Sequence, residues 1–111
     1  MNRMTTKELG ERLGLTVVLE GSSREVSGCY IGDLLSWVMG RAQPGQVWLT
    51  VMSNTNVAAV AAMADVSAVV LCEGAEAEED LIDRARKLEL PVFASPKPIY
   101  EIACAVCEAL K

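Results

Sequence analysis

The second half of the chain alternates between short apolar runs and helical patterns. The run at residues 47–52 is nearly continuously apolar, which is typical of a strand covered on both faces. Two similar runs follow at residues 66–71 and 90–94, and both are too short for buried helices. Helices are predicted after each of the three strands, over residues 56–65, 76–87 and 99–110. This order predicts two right-handed crossover units, and therefore parallel strands between helical layers.

The beginning of the chain predicts one helix and one strand. The helix covers residues 7–13, with Thr5 or Thr6 as its N-cap, because hydroxyl side chains accept hydrogen bonds from the first free N–H groups. Gly14 ends this helix, since glycine readily takes the left-handed conformation of a C-cap. The β-branched run at residues 16–19 predicts the strand.

A second strand and a helix are predicted before the central strand. The strand covers residues 26–31, and Gly28 within it suggests a bulge or a close backbone approach. The helix begins at Gly32-Asp33, with Asp33 as its N-cap. Leu34, Trp37 and Val38 share one face of this helix at helical spacing, which is typical of a face turned to the core. Trp37 either belongs to the core or, if it is exposed, marks a partner surface.

These elements predict an α/β fold with three layers, α/β/α, around a mostly parallel sheet. The 111 residues are expected to form a single domain over residues 1–111. The helix at residues 56–65 is built almost entirely from small apolar residues. Such a helix can lie very close to a sheet, or a second subunit can cover it.

Composition narrows the classes of function. The formal charge of −5 and the pI of about 4.7 argue against a nucleic-acid-binding or anionic-lipid-binding face, which would need clustered Lys and Arg. No apolar run approaches the roughly 20 residues of a membrane span. The N-terminus has no hydrophobic signal-peptide core, so we expect a cytoplasmic protein. The sequence contains no histidine, which removes the commonest general base and metal ligand.

Polar residues follow three of the predicted strands. In open α/β sheets, ligands bind at the carboxyl ends of the strands. We therefore expect a small polar ligand, such as a nucleotide or phosphorylated metabolite, to bind there if one binds at all. The candidate ligand-binding residues are Gly32, Asp33, Ser53, Asn54, Thr55, Asn56, Glu73 and Gly74.

The loop at residues 53–56 has two interpretations. Its hydroxyl and amide groups, together with free N–H groups of the following helix, are able to hold an anion. Alternatively, Asn54 or Thr55 only caps the helix, and the loop only makes the turn. The loop contains neither glycine nor lysine, so it is neither a P-loop nor a dinucleotide-binding fingerprint.

The four cysteines also have two interpretations. Cys29, Cys72, Cys104 and Cys107 all lie in apolar surroundings, so we expect free thiols buried in the core. The spacing of Cys104 and Cys107 places both on one helical face, which also suits zinc binding or redox chemistry. A metal would need further ligands, and the pair lies far from the helix N-terminus, where thiolates are favoured.

The remaining polar groups predict no reaction. The acidic run at residues 73–83 matches no calcium loop and suits a solvated helix face. Ser36 and Ser53 have no histidine base and no nucleophile-elbow motif. We therefore expect a protein that is not an enzyme and that has no metal or cofactor.

Two blocks of the sequence resemble a known family. Residues 24–39 read REVSGCYIGDLLSWVM, and residues 56–61 read NVAAVA after the central strand and its polar loop. These blocks resemble stand-alone DRTGG domains, and the resemblance covers almost the whole chain. The Asp-Arg and Thr-Gly-Gly elements of the family name align near residues 53–54 and 72–74, where Gly74 alone is retained.

The resemblance implies a fold similar to the N-terminal domain of HPr kinase/phosphorylase and of Mur ligases. It implies no kinase activity, because the kinase P-loop belongs to a different domain. In larger proteins, DRTGG domains are accessory regions that make dimer contacts. For this chain we therefore expect a non-enzymatic regulatory or interaction domain, which forms a homodimer through the helix at residues 57–64 or through a sheet edge. The alternatives are the ligand sensor described above and a thiol or metal protein using Cys104 and Cys107.

Overall fold

Five strands and five helices make up the protein, for which a computed structural model describes residues 3–111. The helices are α1 (Thr6–Leu13), α2 (Leu35–Arg41), α3 (Thr55–Ala64), α4 (Glu79–Lys87) and α5 (Ile99–Ala109). The strands are β1 (Thr16–Leu19), β2 (Gly28–Ile31), β3 (Gln46–Thr50), β4 (Ala68–Leu71) and β5 (Val92–Ala94). None of the helices in this part of the chain is long and apolar enough to cross a membrane.

All five strands belong to one sheet with the order β1-β5-β4-β3-β2. Strands β2 to β5 run parallel, and β1 joins β5 in the antiparallel direction. Strands β1 and β2 are therefore the two edges, and β2 pairs only with β3. This arrangement confirms the predicted mostly parallel α/β sheet.

The sheet separates two apolar cores. Helices α2, α3 and α4 cover one face, where Trp48 is fully buried. Helices α1 and α5 cover the other face, where Val47 and Leu49 are fully buried. Successive side chains of β3 point to opposite faces, as strand geometry requires, so the continuous apolar run contributes to both cores. The three predicted layers are thus confirmed.

Local capping agrees with the sequence at α1 and α3. The hydroxyl of Thr5 accepts a hydrogen bond from the N–H of Glu8, whose carboxylate accepts one from the N–H of Thr5. Gly14 closes α1 at a φ of 66°. Asn54 caps α3 by accepting a hydrogen bond from the N–H of Asn56. The sequence predicts these helix ends correctly because a cap depends only on a few neighbouring residues.

The prediction for the second strand is wrong in two respects. Strand β2 begins at Gly28 rather than at residue 26, because the N–H of Val26 donates to the carbonyl of Met4 instead of joining the sheet. No bulge occurs at Gly28, since β2 pairs with β3 in unbroken register. The irregular pairing lies in β1, between Val17 and Leu19.

The predicted cap and apolar face of α2 are also wrong. Leu34, not Asp33, is the N-cap residue, and its side chain makes no capping hydrogen bond. Val38 is fully buried, but Leu34 is 55% and Trp37 52% exposed. Leu34 precedes the helix in extended conformation, so helical spacing does not place it beside Val38. The guanidinium of Arg41 lies 3.9 Å from the centre of the Trp37 ring.

Helix α4 begins later than predicted, and the packing of α3 agrees with one of its two interpretations. Helix α4 begins at Glu79 rather than at residue 76, after a loop in which Ala75 and Ala77 pack against the core. Helix α3 buries Val57, Ala58 and Ala61 completely within the chain. Its small side chains therefore serve close packing between α2, α4 and the sheet.

Candidate functional site

The structure brings the predicted site residues to one edge of the sheet. Gly32 and Asp33 follow β2, residues 53–56 follow β3, and Glu73 and Gly74 lie beyond β4. Because these strands are parallel and adjacent, their carboxyl ends meet on the same side. We call this region the carboxyl edge.

Asp33 is tied to the end of β3. Its Oδ1 atom accepts a hydrogen bond of 2.6 Å from the hydroxyl of Thr50 and one of 3.0 Å from the N–H of Val51. The neighbouring carbonyl of Gly32 accepts a hydrogen bond of 2.8 Å from the indole N–H of Trp48. The residues that were predicted to start a helix therefore connect two strand ends instead.

The loop at residues 53–56 is tied both to α3 and to the start of α4. Asn54 Oδ1 lies 2.9 Å from the N–H of Asn56, which is the capping interaction. The hydroxyl of Ser53 donates to a carboxylate oxygen of Glu78 at 3.4 Å. In the opposite direction, the N–H of Glu78 donates to the carbonyl of Ser53 at 3.1 Å. These hydrogen bonds agree with the interpretation that the loop caps α3 and makes the turn.

Glu73 and Gly74 form a turn in left-handed conformation. Their φ angles are 59° and 80°. The N–H of Glu73 donates to the carbonyl of Lys97, and the N–H of Gly74 donates to that of Ser95. A carboxylate oxygen of Glu73 accepts a hydrogen bond of 3.0 Å from the N–H of Ile99, where a negative charge suits the start of α5. The turn therefore links the ends of β4 and β5.

The chemistry available at the carboxyl edge is limited. Its two carboxylates, those of Asp33 and Glu73, already accept hydrogen bonds from within the chain. The eight predicted residues include no cationic side chain, so a phosphate would depend on backbone N–H groups and on the neutral hydroxyl and amide donors of residues 53–56. A cavity of about 310 Å³ lies between α1 and β1, where Lys7, Val17 and Phe93 contribute to its walls. None of the eight predicted residues lines that cavity.

The sequence did not indicate the role of Arg24. Its guanidinium donates to the carbonyls of Val66, Leu88 and Glu89 at 3.1–3.3 Å. The contacts connect the segment between β1 and β2 to the start of β4 and the end of α4. A single arginine in a polar stretch carries no local signal for partners that lie 42 to 65 residues away.

The prediction that all four thiols are buried is wrong for Cys104 and Cys107, which are exposed. Helix α5 packs through Ile102, Val106 and Ala109, and the two cysteines lie on the opposite side of the helix. Among residues 3–111, no group of three or more cysteine or acidic side chains is arranged to hold a metal ion.

The other two thiols are shielded from solvent to different extents. Cys72 is fully buried and Cys29 partly buried. Burial raises the pKa of Cys72 to about 12. Burial, and secondarily the neighbouring Cys107, raises the pKa of Cys29 to about 11. The raised pKa values thus favour the neutral thiol in both residues at physiological pH.

Four large apolar side chains next to the carboxyl edge are exposed. They are Ile31, Leu34, Trp37 and Val51, whose exposed fractions range from 39% to 55%. Ile31 ends the edge strand β2, and Val51 follows its neighbour β3. We call these four residues the β2–α2 surface. Ile31 pairs with Leu49 and therefore points to the face of the sheet that α1 and α5 cover, whereas Leu34 and Trp37 lie at α2 on the other face. Exposed large apolar side chains thus flank the edge strand on both faces, where a partner is able to cover them.

Comparison with known proteins connects this fold to a family. The crystal structure of the CBS and DRTGG domains of the regulatory region of Clostridium perfringens pyrophosphatase, complexed with the activator diadenosine tetraphosphate, superposes with a TM-score of 0.75. The alignment covers 91% of this chain and 45% of that chain at 12% identity, so the similarity shows the fold alone. No curated protein sequence matches the chain. The DRTGG domain family matches residues 8–109, and the chain therefore belongs to this family.

Proposed function

We propose that this DRTGG domain is a non-enzymatic regulatory domain that acts through protein contacts and pairs with a second copy of itself. The observation that carries the proposal is the β2–α2 surface beside an open sheet edge. Trp37 and Ile31 are 52% and 47% exposed there, although both are large apolar side chains. Aromatic residues of this kind often contribute a large share of the binding energy at protein interfaces.

The edge strand β2 supplies the second part of the contact. Its residues Gly28–Ile31 pair with β3 on one side, which leaves backbone N–H and C=O groups on the other side free for another strand. Two copies related by a two-fold axis would bring their β2 strands together antiparallel. The two sheets would then continue into each other, with the β2–α2 surfaces beside the junction.

Helix α3 is a less suitable contact than the sheet edge. Its residues Val57, Ala58 and Ala61 are fully covered within the chain, so they offer no area to a partner. Met63 is the large apolar residue that α3 leaves exposed, at 71%. Of the two contacts expected from the sequence, we therefore retain the sheet edge.

Sedimentation equilibrium over micromolar concentrations tests the proposal. We expect the wild-type chain to be dimeric, and Ile31→Lys and Trp37→Glu to shift it to the monomer, because a buried unpaired charge opposes association. Met63→Lys is the matched control, since it places a charge at an exposed apolar residue on another helix. A wild-type chain that is monomeric at high micromolar concentration would contradict the dimer, as would Ile31→Lys and Trp37→Glu variants that remain dimeric.

A second candidate function is the sensing of a nucleotide or phosphorylated metabolite at the carboxyl edge. It is supported by the fold similarity to a regulatory region whose crystal structure holds diadenosine tetraphosphate. That region also contains CBS domains, and this chain spans 45% of it. In this chain the ligand would bind among Gly32, Asp33, residues 53–56, Glu73 and Gly74.

Thermal unfolding in the presence of diadenosine tetraphosphate, ATP and AMP tests the sensor. A ligand at 100 times its dissociation constant adds about 2.7 kcal/mol to the free energy of unfolding, which raises the midpoint by several degrees. The increment should disappear in Asn54→Ala and Asn56→Ala, each compared with its own ligand-free sample. Ser22→Ala, at the far side of the chain from this loop, should keep it. An increment that survives in both asparagine variants would place the ligand elsewhere.

A further inference from the structure

The cavity between α1 and β1 has an apolar floor on the sheet. Val17 of the edge strand β1 lies directly opposite Phe93 of β5, so both side chains point to the face that α1 and α5 cover. Phe93 is only 5% exposed, whereas Val17 is 57% exposed. The two helices therefore leave this corner of the sheet open, and the cavity of about 310 Å³ lies there.

A glycine keeps the space above the floor free. Gly10 is buried where α1 passes the ring of Phe93, and a Cβ atom at this position would lie 2.6 Å from the ring atom Cε1. The helix thus contacts the ring through its backbone and places no side chain at this point. Leu15 packs against the same core and contributes a further apolar wall. The cavity has the size of sites that bind small molecules, which begins at about 300 Å³.

The backbone holds the cavity at both of its ends. At Gly14 the chain leaves α1 and turns into β1. At the other end, the N–H of Thr6 donates to the carbonyl of Arg24 at 2.7 Å, and the N–H of Arg24 donates to the hydroxyl of Thr6 at 3.1 Å. A ligand would therefore enter a site that is already shaped, which lowers the entropy cost of binding.

Charged side chains of both signs line the cavity. Lys7 and Glu11 belong to α1, and Glu20 follows β1. Because Arg24 contacts Thr6, the chain after β1 returns to the start of α1, which brings Glu20 to the same end of the cavity as Lys7. In the part of the chain that the structure describes, Lys7 and Glu20 form no ion pair with each other. One ammonium and one carboxylate are thus available at this end.

This combination of groups selects a zwitterion with an apolar body. An anionic ligand would meet the carboxylates of Glu11 and Glu20, and an amine would meet the ammonium of Lys7. A ligand that carries both charges on neighbouring atoms pairs with Lys7 and Glu20 at once. The apolar floor then requires that the rest of the ligand be hydrophobic.

We propose that this cavity binds a free α-amino acid with an aliphatic or aromatic side chain. The α-carboxylate accepts a hydrogen bond from the ammonium of Lys7, and the α-ammonium donates one to the carboxylate of Glu20. The side chain of the ligand covers Val17 and lies beside Leu15 and Phe93. The site is on the opposite edge of the sheet from β2, so its occupation does not depend on pairing of two copies.

NMR titration of the ¹⁵N-labelled chain with L-leucine and L-phenylalanine tests the site. We expect the amide signals of Gly10, Val17 and Phe93 to shift, whereas L-serine, which lacks an apolar side chain, should leave them in place. Val17→Trp fills the cavity and should abolish the shifts. Met63→Trp is the matched control on α3 and should keep them. Both substituted side chains are largely exposed, at 57% and 71%, so both variants should fold.

Two charge variants and two ligand analogues test the contacts of the head group. Lys7→Gln should weaken L-phenylalanine about tenfold, the loss of one charge-assisted hydrogen bond at an accessible site, but should not weaken 2-phenylethylamine, which has no carboxylate. Glu20→Gln should weaken L-phenylalanine by a similar factor, but should not weaken 3-phenylpropionate, which has no ammonium. Lys87→Gln on α4 removes a charge elsewhere and should leave all three affinities unchanged.

Three outcomes would overturn the proposal. The first is the absence of shifts at about 10 mM of either amino acid, a concentration that reveals even weak binding. The second is a set of shifts that persists in Val17→Trp, which would place the ligand elsewhere. The third is an equal loss of affinity for L-phenylalanine and 2-phenylethylamine in Lys7→Gln, since Lys7 would then not contact the carboxylate.

Discussion

The hydroxyl of Thr50 donates a hydrogen bond of 2.6 Å to the carboxylate of Asp33, although the two residues are 17 positions apart. Thr50 is fully buried at the end of β3, and its oxygen also accepts a hydrogen bond of 3.1 Å from the N–H of Met52. Asp33 additionally accepts from the N–H of Val51. One carboxylate thus joins the entry to α2 with the turn that leads to α3.

Asp33→Ala should lower the free energy of unfolding by about 1–2 kcal/mol, because it removes the acceptor of a buried hydroxyl. Asp33→Asn keeps an acceptor oxygen and should cost less. Urea denaturation monitored by tryptophan fluorescence measures both changes. The Thr50→Val variant already lacks the hydroxyl. Adding Asp33→Ala to this variant should therefore lower the free energy of unfolding by less than the same change does in the wild-type chain. Equal costs in both backgrounds would show that the pair is not coupled.

Gly21→Ala should destabilise the protein more than Gly14→Ala does. Both glycines have left-handed backbone, with φ of 59° and 66°, so alanine costs about 1–2 kcal/mol at either position. At Gly21 a Cβ atom would also lie 2.6–2.7 Å from backbone atoms of Glu89, Leu90 and Pro91, whereas at Gly14 nothing lies within 4 Å. Urea midpoints of the two variants give the difference. Similar midpoints would mean that the segment at Gly21 moves away from residues 89–91 without loss of stability.

Arg24→Ala should lower the free energy of unfolding by about 1–2 kcal/mol, since it removes the donor to the carbonyls of Val66, Leu88 and Glu89. Arg3→Ala is the matched control. Its ion pair with Glu25 is 3.0 Å long, but the side chains are 70% and 63% exposed, so the loss should stay below about 0.5 kcal/mol. Chemical denaturation of the two variants measures both losses of unfolding free energy. The interpretation fails if both arginine variants lose the same amount.

Stability should fall at alkaline pH because of the buried thiols. Burial raises the pKa of Cys72 from 9.0 to about 12. The fold therefore favours the neutral thiol, and the unfolded chain loses its proton first as pH rises. This contribution is complete below about pH 9 and is lost progressively between pH 9 and about 12.

The urea midpoint measured at neutral pH and at about pH 10.5 tests the contribution of Cys72. In Cys72→Ala the midpoint at neutral pH should be lower, because the smaller side chain leaves a cavity. Its decline toward alkaline pH should be shallower than in the wild-type chain. Parallel declines in the two proteins would show that Cys72 does not cause the effect.

Some features that the sequence prediction missed had a local signal. Counting 100° per residue along α5 puts Ile102, Val106 and Ala109 on one side and Cys104 and Cys107 on the other. The exposure of the two cysteines follows from this spacing alone. The expectation of buried thiols was wrong because it relied on the apolar composition around them rather than on their direction.

The sequence by itself determined the α/β class, the parallel order of β3, β4 and β5, and the cap at Gly14, and it narrowed two N-caps to Thr5 or Thr6 and to Asn54 or Thr55. These features depend on periodicity and on interactions within one turn of a helix. Tertiary structure alone decided that Asp33 binds Thr50 rather than capping α2, that Arg24 joins two distant loops, and that Trp37 is exposed. The physical reason is that hydrogen-bond partners far apart in sequence, and the coverage of each helix face, are set by how the layers pack together.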